Sequence, residues 1–232
     1  MVSIAVGYCY YNDLKSIQRG IPTFVDDVDF VFAIDGRFSL REGPDYSDDG
    51  STEYLELFNK VIIKKFVGME HDKRNVYMEL CEEMDIDVLL IIDSDEFFLD
   101  GSDWELFREN IDKIKNEVSS LHGLKTFSGL PESMEHYTMR GDEQFAIYPK
   151  IWINPGTIRY EKAHCIFRVN GNLVRSPPHL KVVEGISLGM SDALRDPEWL
   201  KQTSDYQRKM IDYEIPFRHA LRDNKNMELF DD

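Results

Sequence analysis

The chain has 232 residues, 42% of them hydrophobic and 12% aromatic, which is long enough for a sizeable core and too apolar for a disordered chain. Its 43 acidic and 27 basic residues give a formal charge of -16, which argues against a general nucleic-acid binder, whose footprint is basic. No apolar run reaches the ~20 residues of a membrane span. The start "MVSIAVGYCYYND" lacks a basic leader, and the widely separated Cys9, Cys81 and Cys165 have no metal-type spacing, so a cytoplasmic setting with reduced thiols is expected.

In chain order, Val2 to Tyr8 is expected to form a buried strand. A helix follows, with Asn12 as its N-cap and Leu14, Ile17 and Ile21 on one face. Asp29 to Asp35 reads as a second strand and Val61 to Val67 as a third. Asp72 is expected to cap a helix whose apolar positions include Val76, Tyr77, Leu80, Cys81 and Met84. The stretch "DVLLIIDSDEFFLDG", from Asp87 to Gly101, supplies a fourth strand, and Ser102 with Glu105 is expected to form a capping box for the next helix. From about Leu124 short strand-like pieces alternate with Pro and Gly turns, and Asp196-Pro197 opens a final helix. The absence of repeats or a clear linker favours one integrated domain over residues 1–232.

Strands separated by helices predict an α/β fold: a mostly parallel central sheet flanked by helices, with a smaller mixed or antiparallel section in the C-terminal half. Ligands of such sheets collect outside the carboxyl ends of the strands. That edge carries Asp35 after the second strand, His71 to Asn75 after the third, and Asp93 to Glu96 after the fourth. Three carboxylates at the end of a buried strand repel one another unless something positive sits among them. Oxygen-only donors suit Mg²⁺ or Mn²⁺, which bind through one or two carboxylates together with substrate phosphates. A lone D-x-D most often only ends a strand and starts a turn. After the five-residue apolar run Val88 to Ile92, the functional reading is the better one.

At these residues the chain resembles a family. "IIDSDEF" is similar to the D-x-D motif of nucleotide-sugar-dependent glycosyltransferases of the GT-A (Rossmann-like) fold, closest to the large family-2 group. "SIAVGYCYYND" is similar to their first strand and nucleotide-facing loop, "FVFAIDG" to their second strand, and "DKRN" to the basic helix start before the D-x-D strand.

The resemblance implies a donor half over residues 1–101 and an acceptor half over 102–232. It implies that Asp35 contacts the base and that Lys73, Arg74 and Asn75 lie near the nucleotide. Asp93 and Ser94 would meet the nucleotide, and Asp95, with Asp93 directly or through water, the Mn²⁺ or Mg²⁺ that bridges the two phosphates. Tyr8, with Tyr10 and Tyr11, is a candidate base platform. His164 and His179 are alternative late metal ligands. The base that takes the acceptor's proton would be Asp142 or Glu143, followed by Glu161 and, more weakly, Asp192. The donor would be a nucleotide-diphosphate sugar, UDP-linked by preference, with inversion favoured. The acceptor, whether glycan, lipid or protein, is not readable.

Two alternatives stand beside this. A sugar-phosphate nucleotidyltransferase shares the strand-helix start but needs a Gly-rich basic loop after the first strand, where "GYCYYNDLKS" has one glycine and no arginine. A non-catalytic binding module would not need the paired aspartates or the basic "DKRN".

Overall fold

The computed structural model describes residues 2–115, 120–127, 146–161, 163–169, 172–175, 180–190, 208–209 and 228–229. The first half runs β1 (Ile4–Tyr10), α1 (Leu14–Gly20), β2 (Phe30–Asp35), α2 (Ser51–Leu55), β3 (Val61–Lys65), α3 (Glu70–Glu83), β4 (Val88–Asp93), β5 (Glu96–Phe98) and α4 (Trp104–Ile114). There follow β6 (Ser120–Phe127), β7 (Ala146–Ile153), β8 (Ile158–Glu161), β9 (Ala163–Val169), β10 (Asn172–Arg175), β11 (Leu188–Met190) and β12 (Glu228–Leu229).

The main sheet has the order β3-β2-β1-β4-β7-β6-β11-β5. Its β3-β2-β1-β4 portion is wholly parallel, β7 is antiparallel to both neighbours, and β11 runs parallel to β6. A smaller sheet, β12-β10-β9-β8, is antiparallel apart from its β10–β12 pair. This is the expected architecture, a mostly parallel α/β sheet with a smaller mixed section after it.

The strands are near-continuous apolar runs because both faces of the sheet are covered. Ile4, Val6 and Tyr8 of β1 face a core shared with Ile17 and Ile21 at α1 and with Phe107 and Ile111 of α4. Ala5 faces the other side, where Tyr77, Met78, Leu80 and Cys81 of α3 pack against Phe32, Ile34, Leu89 and Ile91.

The sheet curls. Four strand spacings separate β4 from β5, about 19 Å in a flat sheet. Yet β4 ends at Asp93 and β5 begins at Glu96, a span of at most about 11 Å along the chain. The far edge therefore returns towards the centre, and the Asp93–Glu96 turn is the link that joins them.

Helix caps differ from the sequence reading. Asn12 takes a positive φ of 48° and Asp13 occupies the cap position of α1, but the Leu14 amide is satisfied by Asp49 Oδ2 at 2.9 Å, a donor–acceptor pair supplied by a distant loop. Helix α3 begins two residues before Asp72, with Met69 at the cap. At α4 it is Asp103 that accepts from the Leu106 amide, while the Ser102 hydroxyl donates to the Leu99 carbonyl. The connection between β2 and β3 contains the short helix α2, and β5 is a separate short strand within the Asp87 to Gly101 stretch. The expected helix after Asp196 lies outside the described residues.

Candidate functional site

Parallel pairing sets the site. Tyr10 of β1 lies opposite Asp35 of β2, and Cys9 opposite Asp93 of β4, so both acids emerge at one end of three adjacent strands. The start of α3 reaches the same edge through Lys73 and Arg74.

At the β2 end, Asp35 is wholly buried. Its Oδ1 accepts from the Ser47 amide at 3.1 Å and the Ser47 hydroxyl at 2.7 Å, and its Oδ2 from the Thr52 hydroxyl at 3.3 Å. Tyr10 and Thr52 share a hydroxyl–hydroxyl bond of 3.0 Å. The loop between β2 and α2 is thus folded over Asp35 and is laced to the start of α1, where Asn12 and Asp48 exchange two hydrogen bonds and Asp49 accepts from Leu14. Gly36 is required where this loop departs. Its φ is +143°, and a Cβ there would stand 2.3 Å from the Phe66 carbonyl oxygen.

Lys73 is fully buried between the two strand ends. Its ammonium donates to the carbonyls of Gly36 at 2.5 Å and Tyr10 at 3.2 Å and sits 4.3 Å over the Phe38 ring. Burial pulls its pKa down to about 8, against the opposing influence of Cys9 and Asp35. Asn75 turns away from the edge, donating to the Tyr160 carbonyl and accepting from the Tyr160 amide, which ties α3 to β8.

At the β4 end the partners are charged. Arg74 Nη2 donates to Asp93 Oδ1 at 3.0 Å, and its Nε donates to Glu70. Lys150, from β7, donates to Asp93 Oδ2 at 3.0 Å and to Glu96 Oε2 at 2.7 Å. The same Glu96 oxygen accepts from the Asp93 amide at 2.9 Å. Glu96 is buried and Asp93 is about half exposed. Burial pushes the Glu96 carboxyl up to about 7, with Lys150 pulling the other way. Burial also opposes the charge on Lys150, but Asp93 and Glu96 outweigh it and raise that pKa. Ser94 is held through its carbonyl by the Tyr8 hydroxyl at 3.1 Å, and its own hydroxyl donates to Asp13. Tyr8, Tyr10 and Tyr11 are buried, and burial followed by the charge of Asp13 raises the Tyr8 pKa.

The cations that the acidic turn demands are therefore partly built in: Lys150 and Arg74 lie among Asp93, Asp95 and Glu96, with Asp13 beside them. Four carboxyl groups against two cations still leave the edge suited to a further positive charge. Among the described residues no group of three His, Cys, Asp or Glu side chains is arranged to hold a metal alone. A divalent ion here would take phosphate oxygens to complete its shell, as Mg²⁺ commonly does. Partly exposed Asp95 suits that role, and both Asp93 oxygens already accept from cations. Asp142, Glu143, His179 and Asp192 lie outside the described residues, as does the His164 side chain, whose backbone belongs to β9. Glu161 pairs with Arg168 at 2.7 Å in the smaller sheet.

Sequence reasoning missed Lys150 and Asp13. The available signal for Lys150 was a Pro-Lys interruption inside an apolar strand, and for Asp13 its place at the carboxyl end of the first strand.

The chain's structure is similar to that of S. aureus TarS residues 1–349, with a TM-score of 0.44 and 17% identity over 67% of this chain and 48% of that one. TarS in complex with UDP-GlcNAc gives a TM-score of 0.45 and 16% identity over 67% and 46%. A Bacillus anthracis protein provisionally assigned as a glucose-1-phosphate thymidylyltransferase, solved with sucrose, gives 0.40 and 11% identity over 68% and 73%. The chain spans about half the length of the TarS fragment it matches. No family model and no curated protein matches the sequence. Among the described residues no helix is long and apolar enough to cross a membrane.

Proposed function

We propose that the chain is a nucleotide-sugar-dependent glycosyltransferase that uses a UDP-sugar with Mn²⁺ or Mg²⁺, works in the cytoplasm and inverts the sugar carbon. The observation that carries this reading is the convergence of Asp35, Asp93, Asp95 and Arg74 on the carboxyl edge of three adjacent parallel strands, where open α/β sheets take their ligands.

Asp95 would hold the divalent ion, and the ion, when bound, would neutralise the departing diphosphate. The chain's own residues do the rest. Lys150 and Arg74 keep Asp93 from repelling an incoming phosphate, because its charge is already balanced within the turn. Tyr8 and Asp13 hold Ser94, so the backbone that carries Asp95 has a defined direction before any ligand arrives. Asp35 fastens the loop that borders the nucleoside side of the edge. Residues 1–101 would form the donor half and 102–232 the acceptor half, with Asp142 or Glu143 as the base.

The test is thermal denaturation with UDP, with and without Mn²⁺, followed by release of nucleotide from a panel of nucleotide sugars. A melting-point rise that needs both UDP and Mn²⁺, with turnover of at least one sugar, is expected. Equal stabilisation without metal, or turnover of sugar phosphate with nucleoside triphosphate instead, would overturn the reading.

A further inference from the structure

The ladder between β6 and β7 is irregular at one place, beside the lysine that reaches the acidic turn. In the β6–β7 ladder His122 pairs with Ile151 and the next residue, Gly123, pairs with Pro149. Lys150 is the extra residue of this irregularity, skipped by the β6 register. Pro149 beside it has no amide to give a ladder, and the irregularity is what lets a proline sit inside this strand. Alternation along the strand puts Lys150 on the face that carries Trp152, towards α3, and the bulge that ends this regular stretch is of a kind that recurs beside functional sites. Lys150 is 5% exposed as a residue, and its ammonium lies beneath the turn between β4 and β5.

Its two bonds reach both ends of that turn, Asp93 and Glu96, and Glu96 returns a bond to the Asp93 amide, closing a ring of contacts around Ser94 and Asp95. Helix α1 presses on the same place, since a Cβ on Gly20 would stand 2.8 Å from the Glu96 carbonyl oxygen. We infer that Lys150 is a positioning residue for the donor site: its buried ammonium holds Asp93 and Glu96 together and so sets the direction in which Asp95 meets a diphosphate-bound divalent cation. This rests on the donor-site reading above for its ligand, but not for its geometry.

Two measurements on the full chain test it, using Lys150→Met, Glu96→Gln and the double variant. The first is the urea midpoint. Lys150→Met leaves Glu96 buried without its cation, so the midpoint should fall most in this variant. The double variant should recover at least half of that loss, because the remaining amide carries no charge. Losses that simply add would overturn the claim that Lys150 holds the turn through Glu96.

The second measurement is Mn²⁺ binding in the presence of UDP, followed by electron paramagnetic resonance. A lysine that merely stabilises the fold would see Mn²⁺ affinity return with stability in the double variant. A positioning lysine predicts affinity still at least tenfold below wild type in that variant, and affinity within threefold of wild type would overturn the proposal. If wild type shows no UDP-dependent Mn²⁺ binding, the donor reading fails, while the urea cycle still decides whether Lys150 holds the turn.

Discussion

Asp35 and Asp93 occupy equivalent places, each at the end of a parallel strand beside β1, and they are satisfied in opposite ways. Asp35 takes neutral donors, an amide and two hydroxyls, from the connection that follows it in the chain. Asp93 takes two cations, one from α3 and one from β7, 19 and 57 residues away in sequence. A carboxylate served by its own loop fastens that loop and withdraws from solvent. One served by distant cations fastens whole elements and remains at the surface. The β2 end is therefore an anchor, and the β4 end keeps a half-exposed carboxylate at the edge.

Removing the cation should break this contrast most severely. Lys150→Met removes the cation shared by buried Glu96 and by Asp93 and should cost about 3–5 kcal/mol, read from urea unfolding. Asp35→Ala comes next. It strands three donors and releases the loop, for an expected loss of about 2–3 kcal/mol, accompanied by faster proteolysis between Gly36 and Ser51. A loss at Asp35 larger than that at Lys150 would show that the neutral donors of the β2 end hold more stability than the cations of the β4 end.

Lys73, bonded where β1 and β2 end, sharpens the comparison through pH. Its native pKa of about 8 lies below the ordinary 10.5, so the unfolded chain binds more protons between these values and stability should rise with pH across that window. The contribution is present above the unfolded value and lost as pH falls through about 8. Lys73→Met orphans two carbonyls, at a cost of about 1–3 kcal/mol. The urea midpoint of wild type should climb relative to that of Lys73→Met from pH 8 to 10, and parallel profiles would show that burial does not depress this ammonium. The smallest stability effect is expected at partly exposed Asp95. Asp95→Asn should stay within about 0.5 kcal/mol of wild type while abolishing the Mn²⁺-dependent effect of UDP on the melting point.

Much of this edge could be read before the fold was seen, and the reason is physical. Strands buried on both faces must be apolar almost throughout, so Val88 to Ile92 and its companions stood out, and the acids that follow them had to share an edge once the strands were parallel. The loop after Asp35 was illegible because its Ser and Asp side chains resemble a solvated surface, while in the structure Ser47, Asp48, Asp49 and Ser51 serve as acceptors and donors for backbone and side chains more than thirty residues away or across the loop. Lys150 was illegible for a stronger reason. A lysine in a strand ordinarily marks its solvent face, whereas this one shares the buried face of Trp152 and finds its partners, Asp93 and Glu96, on strands distant in sequence. Tyr8 and Tyr10, read as a platform at the strand end, lie within β1, which continues two residues beyond its expected limit, and their rings join the core.

The curl of the main sheet carries a last consequence. The turn from Asp93 to Glu96 spans the gap between the sheet's centre and its far edge, so it works as a clasp across an otherwise open cylinder. Tightening a clasp stiffens what it joins. A ligand that orders this turn should slow amide hydrogen exchange in β5 and β11, whose pairing lies at the opposite end of the strand order, as much as in β4 itself.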